Sequence, residues 1–363
     1  MQQTIKSTEN LRRCEKLEIE MKTFVKSLQK RLRNHQPSPP KSENTPEDRS
    51  NQPPPPPEDD PSSPFRFQIL SDPHLEVGQQ YSSYDFPACA PYLILAGDIG
   101  RLIDYPNYLT FLEAQASRFK LVFLVLGNHE FYGTSYETGL SEARRLCQEP
   151  SLTNKCILLH QTRYDIPTDP ANPDDTGPDD TGATVLGCTL WSHIPEANAA
   201  EVAARVQDFS RISSWTIATH NSAHEQEVSW LRRQLAELQT PDAKERKVLV
   251  ITHHAPTKEA TSAPQYTGNP WSCAFSTEVL RDDPFGYTEG VNTWVFGHTH
   301  YSTDFSLPLY NASGSSARVV ANQRGYVLPG SSAARKEEEL QQAGYKKEKT
   351  GIHEFDPTKV VSL

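Results

Sequence analysis

None of the six cysteines (Cys14, Cys89, Cys147, Cys156, Cys188 and Cys273) belongs to a CxxC pair. They read as reduced, mostly buried thiols of an intracellular protein. No apolar run approaches the roughly 18 residues that a membrane span needs. The N-terminus, MQQTIKSTENLRRCEKLEIEM, lacks the apolar core of a secretory signal. The expected location is therefore cytoplasmic, with no membrane partner, and the sequon Asn311-Ala312-Ser313 is expected to be idle. Positive charge is also short: 36 Lys and Arg face 46 Asp and Glu, for a net charge of -10. That argues against non-specific nucleic-acid binding. Apolar residues make up 36% of the chain and mean hydropathy is -0.63. This is low for a wholly globular chain, so part of it is expected to be unfolded.

The 29 prolines are not spread evenly. Residues 1–34 read as an N-terminal segment with a charged helix, in which Cys14, Leu17, Met21, Phe24 and Leu28 recur at spacings of three and four. About two heptads are too few for a persuasive coiled coil. Residues 35–64, with SPPKSENTPEDRSNQPPPPPEDDPSSP, carry proline and charge without apolar residues and read as a disordered or polyproline linker. From residue 65 the texture changes. Strands are expected at 65–70, 92–95, 121–126, 156–159, 183–191, 247–252 and 292–296, and helices at 108–119 and 224–238. This alternation argues for an α/β fold over 65–330 with a largely buried sheet. Residues 167–182 read as an acidic surface insertion. Residues 331–363 read as a charged tail whose end piece, 351–363, adds an edge strand.

The ends of these strands carry the chemistry. The first runs into Ser71-Asp72-Pro73-His74, the second into Gly97-Asp98 and the third into Gly127-Asn128-His129-Glu130. Two later strands run into His253-His254 and into Gly297-His298-Thr299-His300. In open α/β sheets, sites form at the carboxyl ends of strands. Mixed oxygen and imidazole donors suit divalent ions such as Mn, Fe or Zn, and the set is too large for one ion and about right for two. On an extended backbone, Asp72 and His74 point the same way and can grip one ion; His298 and His300 share that geometry, although a slight twist lets each face a different ion.

The set D-x-H, G-D, G-N-H-E, a histidine after a strand and G-H-x-H resembles the calcineurin-like metallophosphoesterase superfamily, within it the fungal-type members labelled Ser/Thr phosphatase-like. The resemblance implies a two-sheet β-sandwich flanked by helices, with a dinuclear metal site at the strand ends. It implies that Asp72, His74 and His300 hold one metal, that Asn128, His253 and His298 hold the other, and that Asp98 bridges them. It also implies hydrolysis of a phosphomonoester or phosphodiester by attack of a metal-bound hydroxide, with His129 as general acid and Glu130 orienting it. The expected partner is a phosphorylated small molecule or nucleotide. The competing reading is a non-catalytic binding scaffold on the same fold. The complete ligand set, with His129 present, argues against it.

The match departs from the family at the second motif. Many relatives continue it as GDxxD, whereas here it reads Gly97-Asp98-Ile99-Gly100-Arg101. Arg101 either pairs with substrate phosphate or closes a loop at the surface. His253, directly after its strand, is preferred to His254 as the ligand. His160, His193, His220, His224 and His353 lie outside the motifs and read as ordinary helix or loop histidines. The segment Asn322-Gln323-Arg324-Gly325-Tyr326 resembles one that recurs near the end of related phosphoesterases, and its role stays open at this level.

Overall fold

The computed structural model describes residues 53–168, 182–240, 246–281, 283, 286–309, 314–342 and 353–363. The expected N-terminal helix, residues 35–52 of the expected linker, most of the acidic insertion and the sequon lie outside the described residues.

Two sheets form the centre. The first holds β1 (Arg66–Leu70), β2 (Tyr92–Ala96), β3 (Leu121–Val125), β4 (Cys156–Leu158) and β11 (Val360–Ser362), in the order β11-β1-β2-β3-β4. The second holds β5 (Thr162–Ile166), β6 (Ala183–Gly187), β7 (Lys247–Ile251), β8 (Val291–Phe296), β9 (Thr303–Pro308) and β10 (Ser316–Ala321), in the order β5-β6-β7-β8-β10-β9. Within each sheet the inner pairs are parallel, and β11, β5 and β9 close the edges antiparallel. The expected edge strand near the C-terminus is thus β11.

Side-chain alternation explains the layering. Phe67 and Ile69 of β1, Ile94 of β2 and Phe123 and Val125 of β3 meet Val185, Leu249, Ile251, Val295 and Val320 of the other sheet in one buried cluster. The intervening residues face outward and are covered by helices. Leu93, Leu95, Val122 and Leu124 pack with Tyr108, Phe111 and Leu112 of α1 (Tyr105–Ala116) and with Leu140, Ala143 and Leu146 of α2 (Tyr136–Cys147). Val248, Val250 and Trp294 pack with Val228, Leu231, Leu235 and Leu238 of α5 (Ile217–Leu238). Strands buried on both faces read as unbroken apolar runs, which is why these were visible in the sequence.

α5 starts seven residues before its expected start. Thr216 and Thr219 form a reciprocal cap there: Thr219 N donates to Thr216 Oγ1 at 3.2 Å and Thr216 N to Thr219 Oγ1 at 2.8 Å. Two shorter helices, α3 (Glu196–Arg205) and α4 (Asp208–Arg211), precede it, and α6 (Ser332–Gln342) lies in the tail. Among the described residues no helix is long and apolar enough to cross a membrane. The five described cysteines are free, with Cys156 and Cys188 buried.

The end of the expected linker, residues 53–64, runs along the domain. Ser306 N donates to Pro54 O at 2.9 Å. Asp59 accepts from Arg318 Nη1 at 2.6 Å and Nη2 at 3.1 Å, and from Ser362 N at 2.9 Å.

Candidate active site

The backbone leaves the extended conformation as soon as the strands end. Asp72 (φ 53°), His74 (φ 47°), Asp98 (φ 52°), His298 (φ 71°) and His300 (φ 50°) all lie in the left-handed region. The expectation that D-x-H and H-x-H converge because they are extended is therefore corrected. Their side chains are brought together by a chain that turns at each donor. Left-handed backbone costs a non-glycine residue about 1–2 kcal/mol, and five such residues in one cluster mark a functional site. The turns are held in place: Asp72 N donates to Gly97 O at 3.0 Å, His74 N to Asp98 O at 3.0 Å and Gly297 N to His253 O at 2.9 Å. The motif glycines follow from close approach. A Cβ on Gly97, which itself has φ 89°, would strike the ring of His253, and one on Gly127 would strike the Asp98 carboxylate.

Three groups of possible donors result. Asp72, His74 and His300 form one set, Asp98, His253 and His298 a second, and His74, Glu76 and His129 a third that shares His74 with the first, with the donor atoms of each within 4.8 Å of one another. In the first, His74 Nε2 lies 2.9 Å from His300 Nε2, and His300 Nε2 lies 3.5 Å from Asp72 Oδ1. In the second, His253 Nε2 lies 3.4 Å from Asp98 Oδ1 and 3.2 Å from Asn128 Oδ1. Asp98 also reaches toward the first set, with its Oδ2 3.8 Å from His74 Nε2. His253 Nδ1 bonds Ala96 O at 2.9 Å, which turns Nε2 toward the site. Asn128 Nδ2 donates to Asp208 Oδ1 at 2.7 Å and to Tyr132 OH at 3.0 Å, which turns its Oδ1 inward.

The electrostatics fit a cation. Burial and the nearby Asp98 charge push the Asp72 carboxyl up despite the imidazoles around it. Burial also opposes the Asp98 charge, but His129, His253 and His74 hold that carboxyl well below its ordinary value. Burial and the neighbouring His253 push His298 far down, so it is a neutral imidazole. Its Nε2 is buried without a hydrogen-bond partner among the described residues. An orphaned nitrogen in one set and two imidazole nitrogens 2.9 Å apart in the other fit bound cations.

The structure corrects the role expected of Glu130. Its carboxylate accepts from Asp98 N at 3.0 Å, Ile99 N at 2.8 Å, Gly127 N at 2.7 Å and Tyr108 OH at 3.0 Å. It ties the second and third motif loops together, and the carboxylate on His129 is Glu76. Glu76 Oε1 lies 2.8 Å from His129 Nδ1 and 3.3 Å from His74 Nδ1. Burial opposes the Glu76 charge, but these two histidines outweigh it and bring the carboxyl to about 2. Burial alone would strip the His129 proton. Asp98 and Glu76 hold it and raise the pKa to about 9. His129 Nε2 faces the site, 3.9 Å from Asp98 Oδ2, with Tyr326 OH 3.1 Å away. Glu76 lies two residues past Asp72-x-His74, so extending that motif would have found it. Asp208 carries no such signal, and Tyr326 lies in the segment from Asn322 whose role the sequence left open.

His254 is in none of the donor groups: its ring stacks on His298, with centroids 4.1 Å apart, and its Nδ1 lies 3.3 Å from Ser192 Oγ, whereas His253 is in the second set. Arg101 closes a loop: its Nε and Nη2 each donate to Asp104 at 3.1 Å. His220 and His224 bond the backbone carbonyls of Ser192 and Trp191, as ordinary buried histidines do.

The family model for calcineurin-like phosphoesterases matches residues 65–302, more than half of the chain. The chain belongs to that family and is a phosphoester hydrolase dependent on divalent metal ions. It is 26% identical over 285 residues to the uncharacterised protein L509 of Acanthamoeba polyphaga mimivirus, covering 71% of this chain and 90% of that one. Phosphopantetheinyl hydrolase (PptH) from Mycobacterium tuberculosis shares the fold, with a TM-score of 0.52 at 18% identity over 79% of this chain and 94% of that one. A dimetal phosphatase from Danio rerio gives a TM-score of 0.39 at 14% identity over 72% and 88% of the two chains.

Proposed function

We propose that this protein hydrolyses a phosphomonoester or phosphodiester of a small molecule or nucleotide, with two divalent transition-metal ions (Mn, Fe or Zn) and His129 as general acid. The observation that carries this reading is the pair of donor sets on either side of Asp98, which belongs to one and lies 3.8 Å from His74 of the other, with the Nε2 of His129 beside that carboxylate. Asp72, His74 and His300 would hold one ion, Asn128, His253 and His298 the other, and Asp98 both. Bound ions supply Lewis-acid charge to the phosphoryl group and acidify water. Asp98 and Glu76 favour the protonated form of His129, and its Nε2 would protonate a departing alkoxide. Asn128 contributes a neutral oxygen, and His129 stays out of the ligand set so that it is free to carry that proton. The excess of acidic residues supports a small substrate over a polyanion.

Elemental analysis of Mn²⁺-reconstituted protein tests the ligand assignment. About two equivalents are expected, with the largest loss in Asp98→Ala, and a wild-type content below half an equivalent would sink the dinuclear reading. His129→Ala should keep its metal and lose roughly 10²–10⁴-fold in turnover. The loss should be largest on esters with poor leaving groups. Equal loss on good and poor leaving groups would withdraw the acid role.

A further inference from the structure

The segment Asn322 to Tyr326 divides into an anchor and a presented residue. Asn322 Nδ2 donates to Ile69 O at 2.7 Å and Asp356 O at 2.8 Å. Gln323 accepts from His300 N at 2.5 Å and donates to Thr299 Oγ1 at 3.0 Å and Tyr301 O at 3.1 Å. Arg324 N donates to Ser71 O at 3.0 Å, and its guanidinium binds Pro73 O at 2.9 Å and Glu337 at 2.7 and 2.8 Å. These three side chains are satisfied by the protein and tie the segment to the first and last motif loops. Gly325 then turns the chain at φ 70°. Tyr326 emerges over the donor cluster and keeps 40% of its surface exposed, unusual for a large aromatic residue held this firmly.

Its ring stacks on His74, with centroids 4.2 Å apart and planes at 29°, and meets His300 edge-on at 4.9 Å. His74 thus covers one ring face, and the exposed part of the residue lies beside the site. The hydroxyl sits 3.1 Å from His129 Nε2, the nitrogen assigned to the leaving-group oxygen. An incoming ester must take that nitrogen from the hydroxyl, so its leaving group arrives against Tyr326.

Resting on the phosphoesterase reading above, we propose that Tyr326 contacts the substrate: its ring face turned away from His74 is the wall that receives the leaving group. The site thereby favours esters whose leaving alcohol bears a flat ring next to the phosphate. A tyrosine fixed by stacking on a histidine loses little entropy when a second ring stacks on it.

Calorimetric titration of the metal-loaded protein with phenylphosphonate, butylphosphonate and inorganic phosphate tests this without turnover. Tyr326→Ala should weaken phenylphosphonate roughly tenfold, the worth of one aromatic pair, and leave phosphate and butylphosphonate near their wild-type affinities. Tyr326→Phe should keep phenylphosphonate binding, because the ring makes the contact. Phenyl and butyl affinities that shift together, or no shift at all, would overturn the proposal. So would loss of metal in Tyr326→Ala, which would make the ring mere packing for His74. If wild-type protein bound none of the three, the site reading beneath would fall and this inference with it. The leaving-group dependence in His129→Ala plays no part in these affinities, so the two can fail separately.

Discussion

Glu76 and His129 form a buried carboxylate–imidazole pair, Oε1 to Nδ1 2.8 Å. The pair does for His129 what Ala96 O does for His253: it fills the far nitrogen and so decides what the near one offers. Glu76→Gln keeps the shape but removes the charge. The variant should keep its metal, lose roughly 10–100-fold in turnover, and show the leaving-group dependence of His129→Ala. Steady-state rates on a graded series of phosphate esters check this. A Glu76→Gln loss independent of the leaving group would leave Glu76 acting only on His74.

Asp208 holds Asn128 in the orientation a ligand needs. Without that carboxylate the carboxamide is free to flip and present Nδ2 inward. Asp208→Ala should bind metal roughly 10–100-fold more weakly at the Asn128 site, read by competition with a chelator. Unchanged affinity would show that Tyr132 alone fixes the carboxamide.

Residues 53–59 are expected to contribute stability and no chemistry. A chain beginning at residue 60 keeps every site residue, so its turnover should match the full chain. It loses Asp59, which is about one-third exposed, while Arg318 keeps Asp304 at 2.8 Å. The expected cost is therefore about 1 kcal/mol, seen as a lower Tm than for a chain beginning at 53. Equal Tm values would mean that the Asp59 contact adds nothing in solution.

Glu227 predicts a pH dependence of stability. It is fully enclosed on α5, and burial pushes its carboxyl from 4.5 up to about 8 against the pull of the Leu190 and Thr189 backbone. Between these values the folded state holds a proton that the unfolded state has released. Stability therefore falls as pH rises through this window, by up to about 1.4 kcal/mol per unit. Glu227→Gln should gain on wild type steadily from about pH 5 to 8, measured by urea unfolding. Parallel curves for the two proteins would show that Glu227 does not titrate in this range.

The core strands were legible because both faces of each sheet are buried, so β2, β3 and residues 248–251 of β7 read as unbroken apolar runs and β1 as one interrupted by Gln68. The strands β5 (TRYDI) and β9 (TDFSLP) were not. They lie at sheet edges, where alternate residues face water and mimic loop composition. The first turns of α5 were missed because two threonines and a backbone cap, rather than an apolar stripe, decide where it begins.

The sequence by itself determined the family and the candidate metal donors. Donor chemistry depends on side-chain type, and glycines beside the strand ends mark where those side chains must crowd. Only the tertiary structure decided how the donors converge, through five left-handed turns rather than extended backbone. It also decided what lies behind and above them. Glu76 displaces Glu130 as the partner of His129, Asp208 orients Asn128 from 80 residues away, and Tyr326 crosses the chain to cover His74 and His129. Such contacts join distant segments through the packing of two sheets, and no local spacing or periodicity encodes them.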